Sequence, residues 1–236
     1  MKGVSAATVL PLLMKAFSTI WEYPSQQCHN KSVYGEKYKI DFKKYNITTN
    51  TKFTFNGDKI VIFYETNFGL YPYYKNYNMD HPVNGGIPQQ CNLTAHLEKA
   101  EKDINMSIPD ENFSGYAIID FEKWRPLFSE NDWMKKRVGI CSVTAFRTLF
   151  RRFFLKTIEL GKRIRKNAKW GFYGFPYCNY DAGNGTYQCQ DKYKKWNDEM
   201  KFIFNASQAL FPSIYLSNNT KQKPRQRFFY TQVRPC

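Results

Sequence analysis

The sequence predicts an α/β fold with a parallel sheet, built either as a barrel or as a doubly wound sheet. Two observations support this: short apolar runs of strand length, and longer amphipathic stretches between them. Runs that are apolar throughout are typical of strands covered on both faces, as in parallel sheets. Because strand and helix patterns alternate, with no internal repeat and no low-complexity linker, one domain is the simplest organisation.

The apolar runs and amphipathic stretches can be placed along the chain. Strands are predicted at 16–21, 59–64, 116–120, 170–173 and 210–216. Helices are predicted at 93–104, 143–166 and 191–207. Several strands end in polar or aromatic residues, namely Trp21-Glu22, Tyr64-Glu65, Asp120-Phe121-Glu122 and Tyr215. Since barrels and doubly wound sheets both bind ligands at the carboxyl ends of their strands, we expect the site there.

The charge of the chain limits its partners without selecting one. Thirty-five Lys and Arg against twenty Asp and Glu, in 236 residues, give a formal charge of +15. Such a field attracts polyanions, whether nucleic acid, anionic membrane or acidic polysaccharide, and a merely solubilising surface is the alternative. Basic runs at 162–166 and 221–227 are equally compatible with solvated faces and with ligand grooves.

Sequons and cysteines predict a protein of the secretory pathway, secreted or lysosomal. The chain has six Cys, which suits an oxidising compartment. Residues 1–15 resemble a weak signal segment that Pro11 interrupts. No apolar stretch approaches the ~20 residues that span a bilayer, so no integral membrane span is expected. The N-x-S/T sequons, each a candidate glycosylation site, are at Asn30, Asn46, Asn92, Asn105, Asn112, Asn184, Asn205 and Asn218.

Several classes of site have no signature in the sequence. The histidines lack the spacing of a zinc site, so no metal is expected. Neither a G-x-G-x-x-G nor a P-loop pattern is present, and no cofactor is expected. A nucleic-acid partner is not expected either, because no helix-turn-helix, zinc-finger or RNP-like motif accompanies the basic charge.

The segment 117–126 carries the strongest chemical pattern, with Asp120 and Glu122 directly after an apolar run. Side chains at positions i and i+2 of a strand project from the same face. Two neighbouring carboxyls resist simultaneous ionisation, so one of them retains a proton at a raised pKa. A carboxyl of raised pKa can protonate a leaving glycosidic oxygen. The pair therefore predicts general acid–base chemistry.

These segments together resemble the hyaluronidase family of glycoside hydrolases. The segment 117–126 resembles the family's active-site strand, with Asp, an aromatic residue, Glu and then Trp-Arg-Pro. The other matches follow in family order at 17–28, 59–74 with 85–89, 170–180 and 210–216. The resemblance implies a (β/α) TIM-like barrel within 16–236, of which this chain would supply about five strands.

The resemblance also implies roles for particular residues. Glu122 would be the general acid and later the base, and Asp120 would hold the substrate's N-acetamido group for attack on the anomeric carbon. The family's tyrosines around this group match Tyr173 and Tyr215, and a groove tyrosine matches Tyr64. A disulfide between Cys178 and Cys189 is implied at the groove rim. The implied substrate is hyaluronan or chondroitin, both of which are polyanions.

The match to the family is incomplete. On this resemblance the chain would lack the family's later strands, and we expect poor solubility and weak activity from the exposed edges of an open barrel. Cys28 would lack its usual partner, and Glu22 stands where an Asn is expected. Three interpretations therefore remain open. They are an active endoglycosidase, a catalytically impaired or non-catalytic sugar-binding homologue, and, far behind both, a nucleic-acid binder.

Overall fold

The computed structural model describes residues 18–23, 25, 41–131, 142–178 and 189–213. Its strands are β1 (Thr19–Trp21), β2 (Ile47–Thr49), β3 (Ile60–Tyr64), β4 (Tyr73–Tyr74), β5 (Pro82–Val83), β6 (Tyr116–Asp120) and β7 (Lys169–Phe172). Its α-helices are α1 (Leu93–Ser107), α2 (Val143–Ile164), α3 (Asp191–Glu199) and α4 (Lys201–Ala206). The predicted signal segment at 1–15 lies outside the described residues.

Parallel strands form the centre of the fold, in the order β3-β6-β7. Strand β3 pairs with β6 from Ile60↔Tyr116 to Tyr64↔Asp120, and β6 pairs with β7 as far as Ile119↔Phe172. The connections between these strands contain α1 and α2. Parallel strands joined through helices are the repeating unit of a β/α barrel, so the predicted fold class is confirmed, with part of a barrel in the described residues.

The chain continues the sheet beyond β7 through single bridges. Phe211 forms a parallel bridge with Tyr173. The predicted fifth strand at 210–216 is thus represented by Phe211, and 214–216 lie outside the described residues. Strand β1 pairs in parallel with β2, a strand that the sequence patterns do not predict. Strands β4 and β5 form a small antiparallel pair.

One face of the central sheet is buried beneath a helix that is rich in phenylalanine. Residues Val61, Ala117, Ile119 and Trp170 on this face are fully buried. Helix α2 covers them because its apolar residues recur at helical spacing: Phe146, Phe150, Phe153, Phe154, Ile158 and Gly161. A Cβ on Gly161 would lie 2.8 Å from the Trp170 ring, so only glycine lets the last part of α2 approach β7 this closely.

Two residues of the basic run at 162–166, Lys162 and Arg165, bind backbone carbonyls at helix ends. Arg165 is buried, and its Nε donates to the carbonyl of Ile108, 2.7 Å away. Its guanidinium also donates to Asn105 Oδ1 at 3.1 Å. Lys162 Nζ donates to the carbonyl of Ala206 at 2.9 Å. These two cations therefore satisfy carbonyl groups at the ends of α1 and α4, where helices leave acceptors unpaired.

Candidate active site

Asp120 is the last residue of β6, and Glu122 follows two residues later on the same side of the chain. Between them Phe121 turns into the aromatic core, where it is 1% exposed. Asp120 is half-buried, whereas the Glu122 side chain is 50% exposed. The alternation of the strand thus continues past its end, as the i, i+2 argument requires. The prediction that both carboxyls project to one side is consistent with this burial pattern.

The neighbouring strands place two of the predicted tyrosines beside Asp120. Tyr64 pairs directly with Asp120 across the β3–β6 ladder. Tyr173 follows directly after β7, and its N–H donates to the carbonyl of Ile119 at 2.9 Å. Its hydroxyl lies 3.3 Å from Ser213 Oγ. Tyr64, Asp120 and Tyr173 are therefore level on three adjacent strands, while Tyr215 lies outside the described residues.

Asp120 is held in conditions that favour its protonated form. The pKa of Asp120 is raised to about 7, chiefly by burial and also by the negative charges of Glu122 and Glu65, which the nearby Arg125 partly offsets. Its Oδ1 is buried and has no hydrogen-bond partner in the part of the chain that the structure describes. The sequence argument did not decide which carboxyl of the pair has the raised pKa; burial and neighbouring negative charge raise the pKa of Asp120.

Glu122 faces a cation from its own turn. Arg125 Nη2 lies 3.5 Å from Glu122 Oε1, and the guanidinium carbon of Arg125 lies 5.6 Å from the centre of the Tyr177 ring. An exposed ion pair of this kind adds little stability, because water screens it.

The segment that follows the pair is fixed by buried hydrogen bonds. The N–H of Trp124 donates to the Tyr71 hydroxyl at 3.0 Å, and Trp124 Nε1 donates to the carbonyl of Gly86 at 3.0 Å. Asn131 Oδ1 accepts from the N–H of Arg125 at 2.8 Å. Sequence reasoning used Trp-Arg-Pro only as part of a resemblance; the structure shows that Trp124 anchors the turn carrying Glu122.

The rim loop is closed by the disulfide that the resemblance implies. Cys178 and Cys189 are bonded, with their Cα atoms 5.1 Å apart. Helix α3 holds the same segment, because the side chain of Asn197 accepts from the N–H of Tyr177 and donates to its carbonyl, at 2.9 and 2.7 Å. Cys28, whose partner the sequence leaves open, lies outside the described residues.

Similarity to known proteins establishes the family of the chain. The sequence profile of a family described as hyaluronidase matches residues 7–139 and 128–234. The chain belongs to this hyaluronidase family. Among curated relatives, a chondroitin hydrolase of Caenorhabditis elegans is 40% identical over 231 residues, which cover 89% of this chain and 49% of that protein. A hyaluronidase of Loxosceles intermedia is 39% identical over 250 residues, covering 94% of this chain and 60% of that protein.

Solved structures agree with the family assignment. The crystal structure of bee venom hyaluronidase superposes with a TM-score of 0.77 at 29% identity, over 92% of this chain and 73% of that one. The structure of bee venom hyaluronidase in complex with a hyaluronic acid tetramer gives a TM-score of 0.76 at 28% identity, with the same coverage. The chain thus shares the hyaluronidase fold and spans about half to three fifths of the length of the curated relatives above.

The predicted glycosylation sites of this hyaluronidase-family chain divide into two groups. Asn30, Asn184 and Asn218 lie outside the described residues. Every other sequon asparagine is exposed, which a glycan acceptor requires, and glycosylation of these residues stays a prediction: Asn46, Asn92, Asn105, Asn112 and Asn205. At Asn92 the Oδ1 accepts from the N–H of Ala95 as the N-cap of α1, which leaves Nδ2 available.

Proposed function

We propose that the protein is an endo-glycosidase that hydrolyses hyaluronan or chondroitin at hexosaminidic bonds, with Glu122 as general acid and base. Asp120 would hold the N-acetamido group of the substrate. The proposal is supported by the family, by the names of the relatives, and by a carboxyl pair at the carboxyl end of β6, where β/α barrels place their catalytic residues.

The observation that carries the proposal is the buried Oδ1 of Asp120, which has no hydrogen-bond partner among the described residues. A buried polar atom without a partner costs free energy, and native proteins rarely retain one without a reason. Here the atom lies between the strand positions of Tyr64 and Tyr173, on the side of the sheet that bears Glu122. An acetamido N–H of a bound sugar would donate to this oxygen and satisfy it.

The chemistry follows from that contact. An N–H donated to Asp120 favours its ionised form. The proton that Asp120 releases would then be available to Glu122. Glu122 gives this proton to the glycosidic oxygen as the anomeric C–O bond breaks, while the acetamido carbonyl oxygen bonds to the anomeric carbon. Water then attacks that carbon, gives its proton to Glu122, and releases the acetamido group with overall retention of configuration.

The surroundings of the pair suit an anionic sugar chain. Tyr64 and Tyr173 flank Asp120 as amphipathic rings, and Tyr215 is proposed as a further member of this group. The formal charge of +15 would draw a polyanion toward the cleft. No helix among the described residues is long and apolar enough to cross a bilayer. The exposed sequons and the Cys178–Cys189 disulfide support a secreted or lysosomal protein.

Replacing Glu122 tests the proposal. Glu122→Gln should lower kcat on hyaluronan or chondroitin by at least about 1,000-fold while polysaccharide binding remains, because only the transferable proton is lost. Glu111→Gln is the matched control, since Glu111 is an exposed carboxylate before the opposite end of β6. Turnover by Glu122→Gln at the wild-type rate would disprove the assignment.

Ligand selectivity separates the proposal from its alternatives. Hyaluronan and chondroitin should bind more tightly than heparin or single-stranded DNA at physiological salt, whereas salt dependence alone would follow for any polyanion. Tight binding of hyaluronan without turnover by the wild-type chain would indicate a non-catalytic sugar-binding homologue. Tighter binding of DNA would indicate a nucleic-acid binder.

A further inference from the structure

A third carboxylate, that of Glu65, lies directly beside the proposed catalytic pair. Glu65 follows the last residue of β3, and its backbone N–H donates to the carbonyl of Asp120 at 3.1 Å. Its side chain is only 12% exposed. Burying a carboxylate costs free energy unless the group is hydrogen-bonded. The hydrogen-bond partners of Glu65 therefore indicate its role.

The partners of Glu65 are backbone groups of the segment that carries Glu122. Glu65 Oε2 accepts from the N–H of Glu122 at 2.7 Å and from the N–H of Lys123 at 2.9 Å. Glu65 Oε1 lies 3.5 Å from Lys123 Nζ. One carboxylate thus satisfies two consecutive N–H groups of the active-site turn through charge-assisted bonds, which are stronger than bonds between neutral groups.

These bonds occur where the strand ladder has ended. The pairing of β3 with β6 stops at Tyr64↔Asp120, so the backbone of Glu122 lies beyond it. Without Glu65, the position of Glu122 would depend on the exposed ion pair with Arg125 and on the anchoring of Trp124. The negative charge of Glu65 also acts on Asp120, whose pKa it raises.

We propose that Glu65 is a positioning residue that fixes the backbone of Glu122 and places its own negative charge beside Asp120. It touches neither substrate nor reacting atoms in this account. The kinetic part of the inference rests on the proposed function, whereas the structural part, a carboxylate holding two amides of the turn, can be measured without turnover.

Three substitutions at Glu65 separate position from charge. Glu65→Gln keeps a carbonyl oxygen that can accept both N–H groups but removes the charge. Glu65→Asp keeps the charge but is one methylene shorter, so its carboxylate should no longer reach the N–H groups of Glu122 and Lys123. Glu65→Leu removes both. Lys123→Met deletes the ion pair with Glu65, together with the contact of Lys123 Nζ with the Tyr77 ring, and leaves the Glu65 carboxylate in place. Glu159→Gln, on an exposed i, i+3 pair of α2, is the matched surface control.

The expected kinetics differ between these variants. Glu65→Leu should lower kcat by up to about 100-fold with a smaller change in KM, because misplacement of an acid affects chemistry more than binding. Glu65→Gln should recover most of that loss, and the limb of the pH profile that reports Asp120 should move to lower pH. Lys123→Met should lose less than Glu65→Leu, and Glu159→Gln should stay within about twofold of wild type.

Two measurements test the inference without catalysis. Amide hydrogen exchange at Glu122 and Lys123 should accelerate in Glu65→Leu and not in Glu159→Gln, and carboxyl NMR should show a lower pKa for Asp120 in Glu65→Gln than in wild type. Unchanged exchange and an unchanged Asp120 pKa would overturn the inference.

The Glu122→Gln variant, assayed in parallel, keeps the two proposals distinct. If Glu122→Gln retains full turnover, the proposed function fails, whatever Glu65 does. If Glu122→Gln is inactive and Glu65→Leu has wild-type kcat at equal folded fraction, only the role of Glu65 is wrong.

Discussion

Two polar clusters in this fold differ in whether their buried polar atoms are hydrogen-bonded. The mouth cluster consists of Glu65, Asp120 and Glu122 at the strand ends. The buried histidine cluster consists of His96, Asp103 and Thr157, between α1 and α2. Phe121 connects them, since it follows Asp120 directly and its ring centre lies 6.3 Å from that of His96.

The polar atoms of the buried histidine cluster are hydrogen-bonded to one another or to neighbouring groups of the protein. His96 Nδ1 accepts from the N–H of Leu70 at 2.9 Å, and His96 Nε2 lies 3.0 Å from the Thr157 hydroxyl, which itself donates to the carbonyl of Phe153. The imidazole is therefore the neutral Nε2–H form. Asp103 Oδ2 accepts from the N–H of Gly69 at 2.8 Å, and Lys99 pairs with the other oxygen.

The mouth cluster instead places like charges together and leaves Asp120 Oδ1 without a partner among the described residues. The two arrangements differ in their effects on stability and on ligand binding. A closed network stabilises the fold, whereas an open one costs stability and gains it back only when a ligand supplies the missing donor. Substitutions in the two clusters should therefore have different consequences.

Breaking the buried histidine cluster should give the largest change in stability. His96→Leu would leave the N–H of Leu70 without its acceptor and the Thr157 hydroxyl without its donor. We expect the free energy of unfolding to fall by about 2–4 kcal/mol. The kcat of the folded fraction should not change. Urea unfolding beside kinetics checks both.

His81→Gln is the control for that substitution, since the His81 side chain is exposed. It should change the free energy of unfolding by less than about 0.5 kcal/mol. Equal stability of His96→Leu and wild type would show that the cluster is not the closed structural unit described above.

The two clusters should also give the stability of the fold opposite dependences on pH. Burial lowers the pKa of His96 to about 4 from an unfolded value of 6.5, so the unfolded chain binds the proton first. Stability from His96 is present above pH 6.5 and is lost as the pH falls toward 4. Asp120, with its pKa raised to about 7, contributes stability that is present below its ordinary value and lost as the pH rises through 7.

Each of these slopes is at most about 1.4 kcal/mol per pH unit. Comparing the free energy of unfolding of wild type, His96→Leu and Asp120→Asn between pH 4 and 8 isolates the two contributions. The His96 variant should lose the rising part of the pH dependence, and the Asp120 variant the falling part. Parallel curves for all three proteins would contradict the pKa directions on which the comparison rests.

Much of the fold could be predicted from residue patterns because the patterns are strong. The apolar run 116–120 coincides with β6, and the periodic apolar residues of 143–166 and 93–104 coincide with α2 and α1 to within three residues at each end. The predicted helix at 191–207 is divided at Met200 into α3 and α4. Strand β2 escaped prediction because it has only three residues, too few for a periodicity.

The site could be predicted only in part. Glu122 follows Asp120, the last residue of β6, by two positions, so local spacing suffices to bring them together. The sequence identifies Glu65 only as a polar residue at a strand end, because its role depends on where the β3–β6 ladder stops, and no local pattern contains that. Histidine spacing in the sequence argues only against a zinc site; the burial of His96 against Phe153 of α2 arises from tertiary packing, which no local pattern contains.

The most direct test of the central claim compares substrates with and without the acetamido group. Hyaluronan oligosaccharides, intact or de-N-acetylated, would be given to wild type and to Asp120→Asn, and kcat measured. Wild type should lose at least about 100-fold when the acetamido group is removed, because that group supplies both the nucleophile and the donor to Asp120. Asp120→Asn should lose a similar factor on the intact substrate and little more on the altered one. Equal wild-type rates on both substrates would contradict the account.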